Sequence, residues 1–181
     1  MVKRGDLFCP RCGARLGPPR PRWLAYLACF LGGIVALMLA GLIELLFFVG
    51  LQDLLALAVL AGLVEEPVKQ IGVAAMAFRG SRSIRSPASG ALGGALAGLG
   101  FGVIEGMFYT ATLSRFYPLL EAAGMRALLV LLHVLLSALA GVGVYFGSSR
   151  KAGGMMRMFL LIALASGAHA LWNYAAVSLF G

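Results

Sequence analysis

The chain has 181 residues, 61% of them hydrophobic and only 12% charged, with a formal net charge of +8. A mean hydropathy of +0.93 excludes a soluble domain of this size. Nucleic-acid binding is excluded as well, because the basic residues sit in short clusters between apolar runs, as topology signals and lipid-headgroup contacts do. The apolar runs each approach the ~20 residues that a spanning helix needs, so the fold class expected is all-α, a polytopic membrane bundle of about five transmembrane helices. Residues 1–22 are expected as a short cytoplasmic basic tail and residues 23–181 as the transmembrane domain.

The tail contains Cys9-Pro10-Arg11-Cys12-Gly13, which looks like half of a zinc ribbon, a site where two CxxC knuckles supply four thiolates. The second knuckle is missing, and Cys29 falls in the first span. Zinc shared between two chains, a redox pair and a tail without metal all stay open for Cys9 and Cys12. Pro18-Pro19-Arg20-Pro21 is a stiff linker into the membrane. The first apolar run starts only near Trp23, after this polar head, which is not the layout of a cleavable signal peptide.

The first span is expected from Trp23 to Val49, with Trp23 and Tyr26 as interfacial anchors and Glu44 as a snorkelling or interfacial acid near its far end. The second, Leu54 to Phe78, carries Glu65-Glu66-Pro67-Val68-Lys69 at mid-depth. A charged side chain at the centre of a membrane helix costs roughly 2.5–3.5 kcal/mol on insertion scales. Lys69 lies four residues after Glu65 and three after Glu66, within reach of either carboxylate. Two carboxylates against one cation leave negative charge in a low dielectric. Either one glutamate keeps a proton, or cations from other helices or a metal complete the site. Pro67 is expected to kink the helix.

The third span, Ala88 to Thr112, repeats glycine at 90, 94, 98, 102 and 106, a stripe that admits close helix packing, with Glu105 beside it. The stripe is expected to pack within the bundle. The fourth span, Ala127 to Phe146, places His133 and Ser137 on one face. The fifth, Phe159 to Leu179, aligns Ser166, His169 and Asn173. Twelve basic residues fall in the head and the two loops on its side, against two, Arg115 and Arg126, on the other. The expected orientation is amino terminus in the cytoplasm and carboxyl terminus outside, in the cell (inner) membrane. Counted from the outer ends of their spans at ~1.5 Å per residue, Glu105 and His133 lie roughly 10 Å deep and Glu65 and His169 roughly 15 Å deep. Four groups on four helices can meet at one depth. Carboxylates and imidazoles from separate helices suit a zinc-like ion or a water activated by a buried base.

These residues resemble the PrsW family of intramembrane proteases. Glu65-Glu66-Pro67-Val68-Lys69 is similar to the family's EExxK motif, and Phe101 to Glu105 to its FxxxE motif. His133 to Ala138 is similar to its HxxxSA motif and His169 to Asn173 to its HxxxN motif, all in the family's order. In the related type II CAAX prenyl proteases the second motif ends in histidine, so Glu105 puts this chain on the PrsW side. The resemblance implies cleavage of a single-pass membrane protein, in PrsW an anti-sigma factor cut near the outer face of the membrane. Catalysis would fall to Glu65 or Glu66 as base, with Glu105, His133 and His169 holding either a metal, zinc for example, or the water itself. Asn173 would donate to the oxyanion, Lys69 would neutralise the glutamate pair and Ser137 would support them. Two other readings compete: a non-proteolytic ion or proton carrier or membrane-embedded binding protein using the same carboxylates, and a membrane scaffold recruited through Cys9 and Cys12. Metal dependence and oligomeric state stay open.

Overall fold

The computed structural model describes residues 22–48, 50–51, 53–79, 83–149 and 152–180. Cys9 and Cys12 lie outside the described residues, as does most of the basic tail. The described chain is all helical: α1 (Arg22–Phe48), α2 (Leu54–Phe78), α3 (Pro87–Leu113), α4 (Leu119–Ser148) and α5 (Gly154–Phe180). Four of these, α1, α3, α4 and α5, are long and apolar enough to cross a membrane. α2 has 25 residues, and its acidic and basic side chains are buried inside the bundle.

Local chemistry sets the helix starts. Asp53 caps α2 by accepting from the backbone of Leu55 and Ala56. Ser86 and Ser89 form a capping box at α3, with Pro87 in the first turn, where its missing N–H costs nothing. α2 stays helical across Pro67. Two helices begin earlier than hydropathy alone suggests, α4 at Leu119 rather than Ala127 and α5 at Gly154 rather than Phe159. The stretch Leu119 to Arg126 is rich in good helix formers and follows Pro118, so the helix continues past the point where hydrophobicity drops.

The helices form a ring in the order α1, α3, α4, α5, α2, each packed on the next, and α2 also touches α3 and α4 across it. α2 is thus the one element that meets all the others among the described residues. Large apolar side chains such as Val35, Leu46, Leu120 and Leu164 are exposed on the outside of the bundle, while Lys69, Glu66 and Ser137 are fully buried. This inversion suits lipid outside and a polar network within. On the side of the α2–α3 connection the ring is filled by Cys29, Val73, Ala77, Ala97 and Val144.

The glycine stripe packs within the bundle, as expected. A methyl group on Gly94 would meet the carbonyl of Ser137, one on Gly98 the carbonyl of His133, and one on Gly90 the carbonyl of Gly141. All three obstructions are α4 backbone, which cannot swing aside. A similar approach joins α2 to α5, where Gly62 lies against the backbone of Ala170. Gly94→Ala should therefore destabilise the bundle by about 1–3 kcal/mol. Gly124→Ala, whose methyl group would meet open space, should change stability by less than about 1 kcal/mol. Unfolding of the two variants in detergent micelles, followed by circular dichroism, checks the contrast.

Candidate active site

Lys69 is the centre of the site. Its ammonium is fully buried and lies 3.1 Å from Glu65 Oε2, 2.8 Å from Glu66 Oε1 and 2.8 Å from His133 Nδ1. All three ammonium hydrogens thus have an acceptor, and the charge also sits 4.1 Å from the centre of the Phe101 ring. Because an ammonium can only donate, Nδ1 of His133 is an acceptor and Nε2 carries the ring's proton. That nitrogen lies 2.8 Å from Glu105 Oε2, which also forms an ion pair with Arg126, Nη2 at 3.3 Å. On the other flank, Glu66 Oε2 accepts from Ser137 Oγ at 2.9 Å. Gln70 ties the same turn of α2 to the Ser137 carbonyl at 3.4 Å.

His169 completes the cluster from α5. Its ring is edge-on to His133 with centroids 4.9 Å apart. Its Nδ1 is 3.2 Å from Glu66 Oε1 and 3.8 Å from Glu65 Oε2, yet makes no aligned hydrogen bond. Glu65, His133 and His169 each offer a ligand atom, and these atoms lie within 4.8 Å of one another. The edge of a zinc tetrahedron is roughly 3.3 Å, so modest side-chain shifts would close this set on an ion. Both nitrogens of His133 are already engaged, so filling the set exchanges one of those partners for the ion. The charge count favours it: among the described residues, Glu44, Glu65, Glu66 and Glu105 face Lys69 and Arg126 as the fixed cations. The residues present fit a divalent metal.

The site forms the floor of a cleft of about 960 Å3, lined by Glu65, His133 and His169 and, toward the rim, by Glu44, Tyr109, Arg126, Trp172 and Asn173. The cleft opens between the carboxyl ends of α1, α3 and α5 and the amino ends of α2 and α4. Glu44 Oε1, Arg126 Nε and His169 Nδ1 are buried with no hydrogen-bond partner among the described residues, and all three residues line this cleft. Walls with unmet hydrogen-bonding capacity suit a polar occupant.

Four helices thus bring Glu65, Glu66, Lys69, Glu105, His133, Ser137 and His169 into one network. Glu105 touches His133 rather than joining the cluster of potential ligands, where Glu65 takes the place expected for it. Asn173 lines the cleft with one amide hydrogen committed to the Ala58 carbonyl at 3.0 Å. Glu44 is a wall of the cleft, not a snorkelling acid. Hydropathy starts the fourth span after Arg126; only with α4 beginning at Leu119 does Arg126 fall seven positions, two turns along one face of the same helix, before His133.

The model of the PrsW family intramembrane metalloproteases matches residues 20–181. The chain belongs to that family. No curated protein and no solved structure matches it at a significant level. Membership makes this PrsW-family chain a multi-pass membrane peptide hydrolase, and the polar cluster lies wholly within the matched region.

Removing the central cation of this site strands two buried carboxylates. Lys69→Met should cost about 3–5 kcal/mol, the usual penalty for breaking a buried ion pair from one side. Adding Glu66→Gln should recover part of that loss. Thermal unfolding of the single and double variants measures both.

Proposed function

We propose that this protein is an intramembrane endopeptidase that cuts a single-pass membrane protein, with Glu65 as the base that takes a proton from the attacking water. The observation that carries the assignment is the difference between the two glutamates. Glu65 lines the cleft, whereas Glu66 is fully buried behind it and bound by Lys69 and Ser137. Water or substrate entering the cleft meets Glu65. Its Oε2 is held by Lys69, so Oε1 is the oxygen that accepts the proton. Glu66 fixes Lys69, and Lys69 in turn balances the charge on Glu65.

His133, His169 and one carboxylate oxygen of Glu65 would hold the metal, leaving the other Glu65 oxygen as the base; when bound, the metal would supply polarisation of a water at neutral pH. Glu105 holds the His133 ring by its Nε2–H. The second amide hydrogen of Asn173 is the donor offered to a tetrahedral oxyanion. Zinc is the ion that best suits one carboxylate and two imidazoles.

The surplus of basic residues on the amino-terminal side favours that side as cytoplasmic, so the cleft would open toward the outer face. A substrate cut near the outer face, such as an anti-sigma factor, fits this placement. The apolar packing of Cys29, Val73, Ala97 and Val144 beneath Lys69 supports a one-sided reaction chamber over an ion or proton path through the bundle.

Two experiments test the reading. Glu65→Gln should lower cleavage of a quenched single-span peptide in proteoliposomes by about 10²–10⁴-fold, with little change in thermal stability. Glu66→Gln should lower both activity and stability, and wild-type turnover by Glu65→Gln would refute the assignment. Separately, protein purified in a Cys9→Ser/Cys12→Ser background should contain about one zinc per chain by elemental analysis. His169→Ala should lose that zinc, and zinc retained at full occupancy would remove the Glu65–His133–His169 set as its ligands.

A further inference from the structure

We propose that Arg126 is a positioning residue of this site, acting through Glu105 to hold the His133 ring. Only the kinetic part of the proposal rests on the protease reading; the geometric part stands on its own.

Arg126 lies on α4 two turns before His133, and its side chain is turned inward, only 14% exposed. A basic residue near a helix end ordinarily extends to the headgroups. Here the guanidinium lies 4.3 Å from the centre of the Tyr109 ring on α3 and forms an ion pair with Glu105, Nη2 to Oε2 at 3.3 Å. The oxygen it engages, Oε2, is the one that receives the Nε2–H of His133. The imidazole hydrogen bond and the guanidinium ion pair both come from α4 and the carboxylate from α3, so one carboxylate oxygen is held between two residues of the facing helix.

The clamp matters because Glu105 also lines the cleft. Its other attraction is the polar interior of the cleft. Arg126 supplies the fixed positive charge that keeps the carboxylate against His133, where a neutral imidazole alone offers one hydrogen bond. With Nε2–H so held, Nδ1 is the ring's only lone pair, and it points at Lys69. The chain of contacts Arg126–Glu105–His133–Lys69 thereby links the rim of the cleft to the glutamate pair on its floor. Arg126 touches neither glutamate of that pair and acts only through this chain.

The test is a one-bond ¹⁵N–¹H correlation spectrum of the full-length protein, as purified, labelled at its two histidines. His169→Gln assigns the signals. In the parent protein His133 should carry its proton on Nε2, slow to exchange with water. Arg126→Met keeps the aliphatic bulk over Tyr109 but removes the donors; it should broaden or abolish that signal. It should also lower kcat on the quenched single-span peptide by roughly 10–100-fold with KM unchanged. Arg126→Lys should retain most of both. A proton on Nδ1 of His133 in the parent protein overturns the proposal whether or not the variants fold. So does an unaltered signal in Arg126→Met, an equal loss in the methionine and lysine variants, or a rise in KM alone. A spectrum that responds as expected in protein that cuts no peptide would sink the protease reading and leave the positioning role supported.

Discussion

A single ammonium group buried in the middle of a membrane bundle sets the terms for everything around it. Idealised transfer of such a charge into a low dielectric costs of order 20 kcal/mol, and the effective penalty is still several kcal/mol. Lys69 meets that cost by using all three of its hydrogens on Glu65, Glu66 and His133 and by resting over Phe101. Each acceptor then needs its own support. Glu66 takes Ser137, and His133 takes Glu105, which takes Arg126. The network grows outward from one charge until it reaches the wall of the cleft.

Such a network requires helix backbones closer than ordinary side chains allow. Gly94 and Gly98 let α3 rest on the carbonyls of Ser137 and His133, and Gly62 lets α2 rest on the backbone beside His169. Glycine weakens an isolated helix by roughly 0.5–1 kcal/mol relative to alanine. In lipid that cost is offset by contact area and by interhelical hydrogen bonds that longer separations would forbid. The same glycines that tighten the bundle therefore bring the imidazoles to the carboxylates. Packing and chemistry share one cause.

The bundle is also asymmetric along its axis. One half is closed by small apolar residues around Val73 and Ala97, and the other is splayed into the cleft. The polar floor lies at the boundary between them. The cleft lets water reach Glu65 from this end, while the lipid-facing surface remains apolar. That division lets a hydrolytic site exist at membrane depth without exposing irregular backbone to hydrocarbon. It also separates the surroundings of two neighbouring glutamates, since adjacent positions on a helix differ by ~100° in direction.

Much of this was legible in the chain itself. The all-helical bundle, the close packing of the glycine stripe and the meeting of Glu65, Glu105, His133 and His169 near one depth all follow from periodicity and hydropathy, because spanning helices of fixed rise leave few alternatives. The four motifs determined the family. The sequence could not tell Glu65 from Glu66, since only the packing of α4 behind α2 buries one and leaves the other at the cleft. It could not recruit Arg126 or Glu44, because hydropathy sees a charge near a span end as interfacial and cannot see which way the helix faces. Nor could it say that Glu105 would bind His133 rather than join the ligand cluster. That choice depends on the separation of α3 and α4 set by Gly98 and Gly102, a distance that exists only once the helices have packed.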